Sequence, residues 1–194
     1  HDAVGCYDIT LQLAAPASFA LLRIGKCFEK LHNSKMALQF YTQCVEEDPL
    51  LDKGWIAVTD FYSKQKNFQK ALYYIEKALN IDSENVRYWM RYAKINMRLH
   101  LFEEAERGYH MALELGNYEQ DTWLSRGDLL IQLGEHKAAI INLKQAAEFY
   151  PKSAEIQFRL AGLFFLQSQP TEGDFHLNNA LKLEPDFFFI LEEL

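Results

Sequence analysis

Five small residues, Gly25, Thr59, Ala93, Gly127 and Ala161, follow one another at an unbroken interval of 34 residues. The same interval links Leu21, Trp55, Trp89, Trp123 and Gln157, then Phe28, Tyr62, Asn96, Leu130 and Phe164, and then Ala37, Ala71, Ala105, Ala139 and Gly173. Tyr41, Ile75, Tyr109, Leu143 and Leu177 continue it, and Cys44, Ala78, Ala112, Ala146 and Ala180 complete it. A chain that keeps one period through five copies without insertion is a tandem repeat. That constraint precedes all others, because a single copy cannot bury its apolar face alone and must stack on its neighbours.

Within each copy the large apolar residues recur at helical spacing in two blocks, and small residues stand where two helices must approach closely. Each copy therefore reads as helix, turn, helix. In the second copy the pattern predicts helices over about 53–65 and 68–81, with Asn67 as the turn residue between them. Pro49, Pro151 and Pro185 fall at one late place in their copies, where a ring that cannot continue a helix ends the second one. Ser83 and Asn117 stand at that place in the second and third copies and make a softer stop. Pro170 is expected to shorten or bend the turn of the fifth copy, which reads as the least regular of the five.

These residues resemble the tetratricopeptide repeat family, whose 34-residue unit has an aromatic residue or Leu at its fourth place, a small residue at the eighth and an aromatic at the eleventh. The resemblance places five units at 18–51, 52–85, 86–119, 120–153 and 154–187. Gln157, Asn96 and Gly173 depart from the pattern. It implies an all-α, right-handed superhelical solenoid. Ala3, Tyr7 and Thr10 fit the second helix of a preceding repeat over residues 1–17, and 188–194 would begin a further repeat or a C-terminal cap. The chain thus reads as a segment of a longer solenoid.

The net charge of −7 argues against broad nucleic-acid binding, which needs a basic surface to neutralise phosphates. No apolar run approaches the length of roughly 18–20 residues that crosses a membrane. Cys6, Cys27 and Cys44 are an odd set without metal-ligand spacing and read as free thiols, which fits a reducing, cytoplasmic setting. His32 and His100 fall at one turn position of two copies, while His110, His136 and His176 are scattered, so no metal site is expected. Glu103 with Glu104, and the run Glu46, Glu47 and Asp48, read as solvated helix ends. No nucleophile motif or phosphate-binding glycine loop is present. The chain reads as non-enzymatic, with no cofactor. Trp55, Trp89, Trp123, Tyr62 and Tyr41 read as a buried seam.

The resemblance implies that first helices line a concave groove that accepts an extended peptide or a partner helix. Arg87, Arg91, Lys94 and Arg98 are spaced by four, three and four residues, which aligns four cations on one helical stripe. Arg23, Lys26 and Lys30 form the equivalent stripe in the first unit, and Lys53, Ala57, Asp60 and Lys64 in the second. The same places in the last two units are net negative, with Asp121, Asp128 and Glu155 against Arg159. Leu22, Ile56, Met90, Leu124 and Phe158 run beside the stripe as an apolar row.

A basic rim over an apolar floor suits a peptide or helix carrying carboxylates and hydrophobic side chains. The expected site is Arg87, Arg91, Lys94, Arg98, Lys53, Lys64, Lys26 and Lys30, with Met90 and Ile56 as floor. The clamp by which some family members grip a chaperone C-terminus is matched only in part. Leu22 and Lys26 stand where Lys and Asn are expected, and Asp60 where Asn is. Two alternatives remain at this point: self-association through Phe187, Phe188, Phe189, Ile190 and Leu191, or a targeting segment of a larger enzyme or regulator.

Overall fold

A computed structural model describes residues 16–185. The expectations for residues 1–15, for Cys6, for the apolar run Phe187 to Leu191 and for 188–194 lie outside the described residues. Among those described there are ten helices and no strand. First helices are α1 (Ala17–Lys30), α3 (Asp52–Lys64), α5 (Val86–Arg98), α7 (Gln120–Gln132) and α9 (Ala154–Leu166). Second helices are α2 (Ser34–Glu47), α4 (Phe68–Ile81), α6 (Phe102–Glu114), α8 (His136–Phe149) and α10 (Pro170–Leu183). All five second helices begin at 34-residue steps, and the fold class is an all-α solenoid of helical hairpins. The chain divides into two compact units, the first closing at Leu101 and the second opening at Phe102.

In the first unit α1 packs on α2 and α3 on α4, and the hairpins join through α2 with α3 and α4 with α5. Its core has two patches. One gathers Leu22, Tyr41, Val45, Val58 and Phe61, and the other Ile75, Leu79, Tyr88, Tyr92 and Ile95. In the second unit α7 packs on α8 and α9 on α10, over Trp123, Leu130, Leu143, Ile156, Leu160 and Leu163.

The turn inside each hairpin is built the same way five times. His32, Lys66, His100, Gly134 and Ser168 have φ of 58°, 59°, 59°, 75° and 57°. Each lets the following amide reach back to the first helix: Asn33 N–H to the Phe28 carbonyl, Asn67 to Tyr62, Leu101 to Asn96, Glu135 to Leu130 and Gln169 to Phe164, all at 2.8–3.0 Å. This left-handed termination satisfies carbonyls that the helix end would leave bare. Asn33 and Asn67 then cap the second helix, their side-chain oxygens accepting from Met36 and Lys70 N–H at 3.2 Å.

Only Gly134 occupies the left-handed place without steric cost. Nothing lies within 4 Å of where its Cβ would stand, so a substitution there reports backbone strain alone. Gly134→Ala is expected to lower stability by about 1 kcal/mol and Lys66→Gly to raise it by about 0.5–1 kcal/mol. Urea unfolding of both variants checks this, and a gain for Gly134→Ala would show that the turn rearranges.

Two expectations are corrected. Pro170 neither shortens nor bends its turn: it occupies the first position of α10, where a missing N–H is harmless, and Ser168 keeps the shared turn geometry. The aromatic seam is also less uniform than expected. Tyr41 and Trp123 are buried, whereas Trp55, Trp89 and Tyr62 are only half-buried. Trp55 and Trp89 keep their indole N–H at the rim, donating to the Pro49 and Ser83 carbonyls at 2.9 and 2.7 Å.

Candidate functional site

The first unit carries three first helices, α1, α3 and α5, and most of the cations singled out in the sequence. Arg87, Lys94 and Arg98 on α5, Lys53 on α3, and Arg23, Lys26 and Lys30 on α1 are exposed and in no ion pair among the described residues. Two members of the predicted set are held differently. Arg91 forks onto Asp60 of α3, Nε to Oδ1 at 2.9 Å and Nη2 to Oδ2 at 3.3 Å. Lys64 pairs with Glu29 of α1, which also accepts from the Tyr41 hydroxyl at 2.7 Å. These bridges tie α1 to α3 and α3 to α5. Each pair is part-exposed and contributes about 0.2–1 kcal/mol at most. Burial pushes the Glu29 carboxyl up, but the Lys64 and Tyr41 hydrogen bonds and the nearby Lys26 charge outweigh it, and Glu29 sits below the usual carboxylate range.

A cleft of about 750 Å³ opens beside this network, lined by Lys26, Lys30 and Lys64 with Glu29, Asp60 and Ala57. Lys26, Lys30 and Lys64 thus line a concavity whose acids already have partners. The apolar row behaves unevenly. Leu22 and Leu124, 4 % and 6 % exposed, belong to the core, while Ile56, Met90 and Phe158 are half-buried. Within the first unit the half-buried members of the row are therefore Ile56 and Met90.

In the second unit Arg159 of α9 forks onto Asp128 of α7 at 2.8 and 3.2 Å and also meets Glu155 at 2.6 Å. Sequence reasoning counted these residues as separate charges and did not count Glu29. A usable signal existed: Asp60 with Arg91 and Asp128 with Arg159 share a separation of 31 residues, three short of the repeat, which sets opposite charges side by side on successive first helices.

No group of three or more His, Cys, Asp or Glu suited to a metal ion occurs among the described residues. Cys44 is buried, its Sγ 3.1 Å from the Ser18 carbonyl, and burial, with Asp48 nearby, pushes its thiol up to about 11. It is a packing residue, since a reactive cysteine needs a stabilised thiolate. No helix among the described residues is long and apolar enough to cross a membrane.

Stacked helical hairpins with a charged first-helix face define a repeat protein of the interaction-scaffold class. Models of the tetratricopeptide repeat match residues 19–50, 55–85 and 120–163, together more than half of the chain. The chain belongs to the tetratricopeptide repeat family, and this membership supports a protein–protein interaction scaffold. The chain is similar in fold to YrrB, described as a tetratricopeptide repeat protein with an unusual peptide-binding site. The two share 18 % identity at a TM-score of 0.75, over 91 % of each chain. It is also similar to the MamA protein, at 15 % identity and a TM-score of 0.76, over 87 % of this chain and 92 % of that one. MamA from Desulfovibrio magneticus RS-1, from its residue 41 to its end, gives 10 % identity and a TM-score of 0.73, over 90 % and 99 %. None of the curated proteins matches the sequence significantly.

Proposed function

We propose that the protein is a non-enzymatic scaffold that captures an acidic, partly apolar peptide or helix on the first-helix face of its first unit. The observation that carries this reading is the set of exposed cations in no ion pair, Arg87, Lys94 and Arg98 on α5, Lys53 on α3, and Lys26 and Lys30, which line a cleft whose own acids are engaged. A ligand carboxylate on this face meets cations in no ion pair. Ile56 and Met90, half-buried beside them, offer apolar contact. Arg91 and Lys64 act as braces that hold Asp60 and Glu29 away from the ligand, which removes the repulsion that a bare Asp60 would exert. The peptide-binding site described for YrrB supports a peptide as ligand for this fold.

Labelled peptide pools that alternate apolar residues with either Glu or Lys test the reading by fluorescence anisotropy. The acidic pool is expected to bind, and Arg87→Glu/Lys94→Glu/Arg98→Glu to weaken it by about ten-fold or more, with affinity falling as salt rises. Arg91 is left in place because reversing it would set two acids against each other. Equal binding of the two pools, or no loss in the variant, would sink the proposal.

A further inference from the structure

The third tryptophan of the ruler does not do what the first two do. Trp55 and Trp89 each donate to the carbonyl six residues earlier, whereas the buried indole N–H of Trp123 has no hydrogen-bond partner. The cause lies in the preceding turn. Every second helix ends with an i→i−4 bond from the residue after it, but α6 does so one residue earlier in the repeat, ending at Glu114 with Leu115 N–H donating to the Met111 carbonyl at 3.0 Å. Gly116 then takes φ of 90°, and Asn117 N–H bonds back to Ala112 at 2.9 Å. The chain leaves in a new direction. Tyr118 lands over Trp123, their rings stacked at 6.4 Å, and Phe149 of α8 stacks on Tyr118 at 4.8 Å.

This departure opens a second cleft, of about 390 Å³, whose walls come from α6, α7, α8 and the 115–119 turn. Trp123 lines it at 4 % exposure, and the Tyr118 and Phe149 rings stand 46 % and 52 % exposed. Glu114 and Glu148 are exposed in the same wall. The cation of the lining, Arg126, is already held by Glu106 at 2.7 Å and by the Asn142 amide oxygen at 3.4 Å. Two exposed carboxylates, two half-exposed aromatic rings stacked on each other and one buried donor without an acceptor are therefore gathered in one place.

We propose that this cleft is a docking site for an arginine-bearing segment of a partner protein. Tyr118 swings aside, the guanidinium takes its place on the Phe149 face and is held by Glu114 and Glu148, and a backbone carbonyl of the segment accepts from Trp123. Arginine suits the site better than lysine because its planar fork both stacks on rings and pairs with carboxylates. The acidic cleft of the second unit and the basic face of the first take opposite ligands, so the two readings stand or fall separately.

The test is titration of the ¹⁵N-labelled chain at pH 8. The probes are acetyl-Gly-Arg-Gly-amide and its Lys and Glu counterparts. The readout is the Trp123 indole N–H signal, assigned by its loss in Trp123→Phe. The Arg peptide is expected to shift it saturably and more tightly than the Lys peptide, with about ten-fold weaker binding in Glu114→Gln/Glu148→Gln. These two exposed positions change without touching the core. The proposal is overturned by an indole signal that no probe moves at up to about 10 mM, by equal responses to the Arg and Glu peptides, or by unchanged Arg binding in the double variant.

Discussion

Alanine at position 41 is expected to destabilise the first unit by about 3–5 kcal/mol, the usual range for deleting a buried aromatic ring. Tyr41 is 1 % exposed and lies in the α1–α2 interface against Gly25, with its hydroxyl donating to Glu29. Removing the ring leaves a cavity bounded by helix backbone, which cannot collapse freely. Tyr41→Phe keeps the ring and loses one hydrogen bond to an acid that still has Lys64, so about 1 kcal/mol is expected. Chemical denaturation followed by circular dichroism separates the two. Similar losses for both variants would mean that the hydroxyl network, and not the ring, holds the hairpin.

Gly25→Thr is expected to cost about 1–3 kcal/mol through overpacking, because an added Cβ would stand only 2.5 Å from the Tyr41 ring. Thr is nevertheless native at the same place one repeat later: Thr59 is fully buried, with Ile75 at the position equivalent to Tyr41. The size of one residue sets the size permitted to the other. Importing the second repeat's pair as Gly25→Thr/Tyr41→Ile should therefore be at least about 1 kcal/mol more stable than the sum of the single changes, the coupling expected of residues in contact. Strict additivity in a double-mutant cycle would refute the idea that these two positions are chosen together.

Much of the architecture was legible because it follows from periodicity. The 34-residue ruler implied an all-α solenoid of helical hairpins, and in the second copy the predicted helices fall within a residue of α3 and match α4. The turn geometry was hidden, since four of the five left-handed positions hold His, Lys or Ser, which carry no conformational signature, and only Gly134 advertised it. The candidate face was half legible. Spacing along one helix aligned Arg87, Arg91, Lys94 and Arg98, but pairing with Asp60 depends on a neighbouring helix, and a single-helix reading cannot see it. Gly116 was the one visible hint that the turn before Trp123 runs differently, and it goes unnoticed when glycines are read only as turn formers.

The braces on the first helices have a meaning for how such a chain can be lengthened or shortened. Asp60 and Arg91 recur as Asp128 and Arg159, two repeats further on, whereas the intervening places hold Lys94 and Ser125. The charge pattern therefore has a period of two hairpins although the fold has a period of one. Excising the third unit would bring Asp60 opposite Ser125, and excising the fourth would leave Arg159 without its acid, while excising both would restore the match. In this chain the smallest piece that can be lost between these two Asp–Arg braces without stranding one of their charges is a pair of repeats.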